Sequence, residues 1–207
     1  MFENIQSQIQ WLVIPGSYLI GSVSWGLIIG KLARGIDVRQ HGSGSTGSTN
    51  VLRTLGTRLG ALVFILDVAK GVLATIAAKL LGDEPLLDGL AALSVIIGHN
   101  WPILSRFQGG RGIASAVGAL AVLAPISTVV ACAAFIPAVL ITRYVSLGSL
   151  LAVVSAIITM PILAFIGMTH WEYLAYTMIA GPLIILRHKE NIRRLIDGTE
   201  RRLSFRP

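Results

Sequence analysis

Charged residues are scarce in this 207-residue chain, and their scarcity narrows its class. They make up 13% of the sequence, whereas soluble domains average about 25%. Hydrophobic residues make up 54%, and the mean hydropathy is +0.74. So little polar surface cannot cover a soluble domain, and the composition therefore predicts an integral membrane protein.

Cysteine is rare, and basic residues are absent from the first 30 positions. The single cysteine, Cys132, excludes an intrachain disulfide. Residues 1–30 contain no lysine or arginine, whereas a secretory signal peptide begins with a basic region. The first apolar segment is therefore expected to remain in the protein as a membrane helix.

Apolar runs of roughly the 20 residues needed to cross a bilayer recur along the chain. They predict an all-α, polytopic integral membrane bundle, with 1–207 forming one membrane-embedded domain. The seven predicted transmembrane helices are residues 9–30, 59–81, 86–104, 113–124, 125–142, 147–167 and 171–187. The fourth is short, about 18 Å, so it is expected to reach part of the way across and line a cavity.

Basic residues fix the predicted orientation, because lysine and arginine accumulate in cytoplasmic loops. Dividing 113–142 into two spans at Pro125 places nearly all of them on one side, whereas a single span would put Arg143 opposite the basic tail. The N-terminus is thus predicted outside and the C-terminus in the cytoplasm. The net charge of +7 then reflects orientation rather than nucleic-acid binding. The last arginines of the tail are interpreted as an anchor on anionic lipid: Arg201, Arg202 and Arg206.

The first of three polar loops on the predicted cytoplasmic side, residues 42–53, reads GSGSTGSTNVLR. It fits G-x-G-x-x-G, but a Rossmann site needs a preceding strand, and the lysine of a Walker motif is absent. Glycine N–H groups, hydroxyls and a following helix suit a phosphate. If that helix begins near Asn50, Thr49 and Arg53 face the same anion.

The second loop follows His99 and ends in FQGGRG at residues 107–112. Gly109 and Gly110 let the backbone lie against a ligand, and Arg111 can hold a phosphate through two hydrogen bonds. This loop repeats the combination of glycines and a cation at a helix start.

The third loop, RHKENIRRL at residues 187–195, contributes His188 and Asn191. Ser146 and Ser149 open the sixth span, where the helix N-terminus carries a partial positive charge. Together these segments predict a cytoplasm-facing phosphate site at the membrane boundary. Its expected substrate has an anionic head and an apolar tail.

The loops resemble the acyl-phosphate-dependent glycerol-3-phosphate acyltransferases of bacterial membranes over nearly the whole chain. That family's signatures look like G-S-G-N-x-G-x-T-N-x-x-R, G-H-x-x-P-x-x-x-x-F-x-G-G-K-G and H-x-x-N-I-x-R-L. The resemblance implies a bacterial inner-membrane enzyme whose active site faces the cytoplasm. It would transfer a fatty acyl group from acyl phosphate to the primary hydroxyl of glycerol 3-phosphate. The products are lysophosphatidic acid and inorganic phosphate, in the first acylation of phospholipid synthesis.

The resemblance further implies no bound cofactor or metal and no nucleic-acid partner; its partners are the two substrates and membrane lipid. The oligomeric state stays open, and a monomer is compatible with the sequence. His188, Asn191, Arg111 and Ser43 are the implied catalytic residues. Substrate binding is assigned to Ser43, Thr49, Asn50, Arg53, His99, Gly109, Gly110, Arg111, Ser146 and Ser149. Ser45 stands where the family usually has asparagine, and Arg111 where it usually has lysine, which can alter activity or acceptor preference.

Direct transfer is favoured over an acyl-serine intermediate, because no serine is evidently paired with a base. His188, His99 or a substrate phosphate oxygen can take the proton of the attacking hydroxyl. The H-x4-D motif of acyl-CoA acyltransferases is absent. Asp67 and Lys70, three residues apart, are interpreted as a charge-neutralising pair within the bilayer.

Two other functions remain open: acyl transfer with a different donor or acceptor, and transport of a phosphorylated solute. A transporter is expected to place its site near mid-membrane and to show internal two-fold similarity. No such repeat is evident in the sequence.

Overall fold

The computed structural model describes residues 8–203, and all regular structure in that range is helical. The all-α prediction is thus confirmed for those residues, whereas Arg206 lies outside them. The α-helices are α1 Val13–Ser22, α2 Trp25–Arg34, α3 Ser48–Leu55, α4 Thr57–Leu81, α5 Pro85–Asn100, α6 Ile113–Leu123, α7 Pro125–Thr142, α8 Val145–Phe165, α9 Tyr173–Arg187 and α10 Lys189–Ile196.

Five helical segments are long and apolar enough to cross a membrane: Gln10–Arg34, Thr57–Leu81, Pro85–Ser105, Pro125–Thr142 and Val145–Phe165. The fourth and seventh predicted spans coincide with the shorter apolar helices α6 and α9. The expectation of one short span is therefore incomplete, because α9 has only 15 residues. At 1.5 Å per residue it is about 22 Å long.

The first span is broken between α1 and α2, where Val23 is extended. The break leaves carbonyl groups without helical partners, and Lys70 of α4 supplies donors to them. Its Nζ lies 3.0 Å from the carbonyl oxygens of both Gly21 and Val23. The sequence did not predict this break, and the helical segment also runs on to Arg34, beyond the predicted end at residue 30.

Glycines let the helices of the bundle approach closely. A Cβ added at Gly71 of α4 would lie 2.1 Å from the carbonyl oxygen of Ser115, and one at Gly118 of α6 would meet that of Val68 at the same distance. α1 and α5 approach each other in the same way through Gly21 and Gly98. Small residues at helix contacts are the usual means of packing in lipid, where no hydrophobic effect drives helices together.

The buried core lies where α5, α6, α8 and α9 meet, and it includes Val95, Leu120, Met160 and Tyr173. The outward faces are apolar too. In α7, for example, Ile141 is 81% exposed and only Ser127 and Ala131 are buried. Apolar residues on both the inside and the outside are typical of a bundle solvated by lipid.

The polar loops meet at one end of the bundle, beside the N-termini of α3, α6 and α8 and the C-terminus of α9. The helix after the first loop is the separate helix α3, because Gly56, with φ of +96°, ends α3 before α4 begins. Thr49 and Arg53 therefore lie on a short helix outside the span.

Candidate active site

A polar cavity of about 130 Å³ lies at this end of the bundle. Arg53, Arg111 and Asn191, which are far apart in the sequence, all line it. Phe64, Phe135 and other apolar side chains complete the wall. The cavity thus joins two cations and several hydroxyls to an apolar surface.

Most of the predicted site residues line this cavity: Ser43, Thr49, Asn50, Arg53, His99, Arg111, Ser146, Ser149, His188 and Asn191. Gly109 instead lines a neighbouring cleft, which shares Ser43 and Arg111 with the cavity. Gly110 lines neither. The two glycines therefore support the site from behind rather than forming its wall.

Asn50 shapes the first loop from within. It is 2% exposed, and its Oδ1 accepts a hydrogen bond from the Ser43 N–H at 2.8 Å. Its Nδ2 lies 2.8–3.1 Å from the carbonyl oxygens of Val38, His41 and Ser45. A Cβ at Gly42 would lie 2.2 Å from Asn50 Oδ1, so this turn requires glycine. Because the amide is committed to the loop backbone, the prediction that Asn50 binds substrate directly is not retained.

Arg53 lies on α3, one turn after Thr49. Its Nη2 donates to the Arg201 carbonyl at 3.0 Å, whereas its Nε is buried without a partner among the described residues. Burial lowers the pKa of Arg53, and Glu200 opposes that shift. A guanidinium with an unused donor inside a cavity is suited to an anionic ligand.

Arg111 follows Gly109 and Gly110, and Arg187 holds the backbone of this glycine pair in place. The Arg187 guanidinium donates to the Gly110 carbonyl at 2.9 Å from Nη2 and 3.2 Å from Nε, and it stacks on the Trp101 ring. Burial lowers the pKa of Arg111 to about 10, with a further contribution from nearby Arg194. Arg111 thus stays protonated at neutral pH.

His99 is enclosed on both sides of its ring. Its Nδ1 lies 3.3 Å from Ser115 Oγ and 3.5 Å from Asp67 Oδ1, and a Cβ at Gly110 would lie 2.1 Å from its Nε2. The ring therefore supports the glycine loop, although it also borders the cavity. This enclosure makes His99 a poorer proton acceptor than the sequence suggested.

Among residues 8–203, only the Nδ1 nitrogen of the His188 ring has a hydrogen-bond partner. Its Nδ1 lies 2.8 Å from the Ile184 carbonyl, so Nδ1 carries the hydrogen and Nε2 keeps a lone pair. Burial lowers the pKa of His188 to about 4, although the hydrogen bond to Ile184 opposes this shift. The imidazole is therefore neutral at physiological pH.

A carboxylate that sequence reasoning missed, Glu200, enters the cavity from the tail. Its Oε1 accepts hydrogen bonds from Ser146 Oγ at 2.9 Å and Asn191 Nδ2 at 2.8 Å, and its Oε2 accepts one from Arg194 Nε at 2.8 Å. Gly198, with φ of +68°, reverses the chain so that the carboxylate reaches inward. The one available signal was a pair of acidic residues, Asp197 and Glu200, between two basic pairs in the tail.

Among residues 8–203, no three histidine, cysteine, aspartate or glutamate side chains are grouped as metal ligands would be. What the cavity offers is charge and donors. Two cations, serine hydroxyls, helix N-termini and the Asn191 amide converge there, with a neutral imidazole alongside. Such a site can hold phosphate groups next to an apolar chain.

The sequence model of the family described as glycerol-3-phosphate acyltransferase matches residues 11–198. The chain belongs to that family. A glycerol-3-phosphate acyltransferase of Halalkalibacterium halodurans is 43% identical over 206 residues, covering 95% of this chain and 97% of the relative. Glycerol-3-phosphate acyltransferase 2 of Moorella thermoacetica is also 43% identical, covering 95% and 99%.

Solved structures agree with this membership of the acyltransferase family. The crystal structure of PlsY (YgiH), an integral membrane glycerol 3-phosphate acyltransferase, in its glycerol 3-phosphate form has a TM-score of 0.86 at 36% identity. The match covers 94% of this chain and 96% of that one. The lysophosphatidic acid form of the same enzyme gives a TM-score of 0.84. This acyltransferase is therefore an integral membrane protein.

We expect Glu200→Ala to destabilise this acyltransferase and lower its activity. The substitution leaves Ser146, Asn191 and Arg194 without their acceptor, and each buried unsatisfied group costs about 1–3 kcal/mol. Hydrogen bonds from these donors outweigh burial and keep the pKa of Glu200 below its usual value. Its stabilising contribution is therefore present above the unfolded-state pKa and is lost as the pH falls.

Thermal unfolding in detergent and kcat/KM measure both effects of Glu200→Ala. Glu190→Gln is the matched control, because Glu190 also approaches Arg194, at 3.9 Å, but its side chain is 71% exposed. Equal unfolding temperatures for the wild type and Glu200→Ala would contradict the assigned role.

Proposed function

We propose that the protein transfers a fatty acyl group from an acyl phosphate to the primary hydroxyl of glycerol 3-phosphate. The products are lysophosphatidic acid and inorganic phosphate. The observation that carries this proposal is the single cavity in which Arg53 and Arg111 meet an apolar wall. It suits an anionic acyl donor and an anionic acceptor held together.

Charge is the main obstacle to this reaction, because both substrates carry phosphate. Arg53, Arg111 and the helix N-termini offset the repulsion between them in a partly dry site. Thr49, Ser149 and the free Asn191 Oδ1 complete the binding groups; Asn191 Oδ1 is buried without a partner among the described residues. That oxygen is an acceptor, so it suits a substrate hydroxyl.

Acyl transfer then proceeds in one step. The acceptor oxygen bonds to the acyl carbon, the bond from that carbon to the phosphate oxygen breaks, and the phosphate leaves. A phosphate oxygen takes the hydroxyl proton, since the second pKa of a phosphate monoester is about 6, whereas that of His188 is about 4. A base is most effective near the working pH. His188 contributes as a neutral hydrogen-bonding group.

This assignment predicts the pH dependence of His188 variants. Because the pKa of His188 is lowered to about 4, the imidazole becomes protonated only below about pH 5. The pH dependence of kcat should therefore show no step from His188 between pH 5.5 and 8. The acid limb should lie near pH 6, from the phosphate. His188→Gln should be slower by roughly 100-fold, the scale of a substrate misplaced by about 1 Å, and should keep the same inflection.

Steady-state pH profiles of the wild type and His188→Gln test this prediction. Disappearance of the inflection near pH 6 in His188→Gln would make His188 the proton acceptor instead. His41→Gln is the control, since His41 directly precedes the first loop and is exposed.

The donor itself is tested with purified protein. Palmitoyl phosphate and glycerol 3-phosphate should give lysophosphatidic acid, and palmitoyl-CoA should not. Formation of lysophosphatidic acid from palmitoyl-CoA but not from palmitoyl phosphate would show that the donor is an acyl-CoA instead. Glycerol without phosphate tests the acceptor, and efficient acylation of it would exclude a phosphate site.

The membrane arrangement completes the proposal: seven crossings in one domain, N-terminus outside, C-terminus and active site cytoplasmic, in a bacterial inner membrane. Cys132 is the single cysteine, so a Cys132→Ser background allows labelling of one position at a time. Glu190→Cys should react from the cytoplasmic side and Asp83→Cys from the other side. Labelling of both from one side would refute this topology.

A further inference from the structure

Arg39 connects the first two polar loops. It lies in the short 3-10 turn Val38–Gln40, just before the first loop. Its guanidinium contacts the Asp37 carboxylate through Nε at 2.9 Å and through Nη2 at 2.6 Å. The remaining nitrogen, Nη1, donates to the carbonyl of Ser105 in the second loop at 3.2 Å. One side chain thus links the segment before the first loop to the backbone of the second.

The turn that carries Arg39 is itself fixed to the first loop. The Val38 side chain is fully buried, in a small core with Ile29, Val51 and Val63. The Val38 carbonyl accepts a hydrogen bond from Asn50 Nδ2 at 2.9 Å, and Asn50 is the residue that shapes the first loop from within. A displacement of the turn would therefore be passed to that loop.

On the other side, the contact falls on a strained part of the second loop. Arg106 and Phe107, which directly follow Ser105, have φ of +55° and +61°, and this region is unfavourable for residues other than glycine. Such a conformation persists where the surrounding contacts hold it. The Ser105 carbonyl accepts hydrogen bonds from the Gln108 N–H, at 3.2 Å, and from Arg39. These bonds fix the path by which the chain enters the glycine pair.

The guanidinium of Arg39 is committed to the protein, unlike those of Arg53 and Arg111. One carboxylate fills its fork and one carbonyl takes its third nitrogen, and Arg39 lines neither the polar cavity nor the neighbouring cleft. The pair also stays ionised, because the Arg39 guanidinium lowers the pKa of the Asp37 carboxyl to about 2. Any effect of Arg39 on the substrates therefore passes through the position of the loops.

We propose that Arg39 is a positioning residue that sets the spacing of the first and second loops through the Ser105 carbonyl. Arg187 holds the glycine pair near the end of the second loop, and Arg39 holds the part that leads into it. The inference rests on the proposed function, because it takes both loops as acting on the same two substrates. Spacing matters for such a reaction, since a misplacement of about 1 Å can cost about 100-fold in rate.

Turnover counted per intact binding site tests this role. Bound 1-palmitoyl glycerol 3-phosphate at saturation gives the number of sites. Arg39→Ala should lower kcat per site by roughly 10- to 100-fold, and each KM should change less, because the groups that contact the substrates remain. A purely structural role would lower the unfolding temperature and the number of sites but leave the turnover of each site unchanged. Arg34→Ala is the matched control and should turn over as wild type, since Arg34 is an exposed arginine at the end of α2.

Arg39→Lys separates the charge from the two-way contact. Lysine keeps a positive charge beside Asp37, but a single ammonium group replaces the planar fork that meets Asp37 and Ser105 together. Its turnover per site should fall by several-fold, less than that of Arg39→Ala. Arg39→Lys also carries the test if Arg39→Ala does not fold. Wild-type turnover per site in the folded variants would overturn the inference.

A distance measurement tests the bridge without any substrate. Nitroxide labels are placed at Gln40→Cys and Gln108→Cys, both exposed positions, in the Cys132→Ser background. Arg39→Ala should widen the distribution of distances between the labels, and Arg34→Ala should not; an unchanged distribution in Arg39→Ala would refute the bridging role. If the wild type used no acyl phosphate but Arg39→Ala still widened the distribution, the proposed donor would fail and the role of Arg39 in spacing the loops would stand.

Discussion

Arg111→Ala should lower kcat/KM for acyl transfer by roughly 30- to 1,000-fold, equivalent to about 2–4 kcal/mol of transition-state stabilisation. Arg111 is half-buried in the cavity wall, and its pKa of about 10 keeps it charged throughout the working pH range. In the proposed reaction, its removal leaves the two substrate phosphates with one cavity arginine, Arg53, to offset their repulsion. The loss should appear in both KM and kcat, because the repulsion persists in the transition state.

Arg111→Lys separates charge from geometry. Lysine keeps the positive charge but loses the paired donors of the guanidinium, and it is the residue expected here from the family signature. We expect Arg111→Lys to recover activity to within about tenfold of the wild type. Arg58→Ala, at an exposed position beyond α3, is the control and should behave as wild type. Near-normal kinetics in Arg111→Ala would remove the phosphate role from this residue.

The convergence of the polar loops could be predicted because each loop shows its phosphate-binding residue types within a short segment of sequence. The first two combine glycines with a cation near a helix start, the third carries cations and an amide, and the distribution of basic residues predicts all three on one side. Neither inference needs knowledge of side-chain packing. The shared cavity of Arg53, Arg111 and Asn191 follows from these two features.

Other features depend on contacts between distant residues, and the sequence does not announce them. Glu200 reaches the site because Gly198 reverses the chain. The break between α1 and α2 depends on Lys70 from another helix. His99 is a possible base by residue type, but the backbone of Gly110 lies against its ring. In each case a single residue has a role that only the packed bundle defines.

Asp67 and Lys70 form the ion pair predicted from the sequence, and both also make contacts that the sequence did not predict. The predicted ion pair is present, with Lys70 Nζ 2.8 Å from Asp67 Oδ1 and both side chains at most 3% exposed. Lys70 also binds the carbonyls freed at the break of the first span, and Asp67 lies beside His99. The pair therefore joins α1, α4 and α5 beneath the active site.

Asp67→Ala should be the most destabilising of these substitutions. It leaves the Lys70 ammonium buried without its counter-charge, and breaking a buried pair costs about 3–5 kcal/mol. For a chain of this size the unfolding temperature should fall by on the order of 10 °C. Because membrane proteins in detergent often unfold irreversibly, variants are compared at one scan rate.

The double variant Asp67→Ala/Lys70→Met distinguishes the pair from the individual residues. With both charges removed no ion remains buried, so part of the lost stability should return. The Lys79–Asp88 pair at the other end of α4 is the matched control: it spans 3.0 Å, but the Lys79 side chain is 38% exposed. Asp88→Ala leaves the partly exposed Lys79 ammonium, so solvent screening should make this substitution cost much less than Asp67→Ala. A double variant less stable than Asp67→Ala would mean that Lys70 stabilises the fold mainly through the carbonyls of the broken first span.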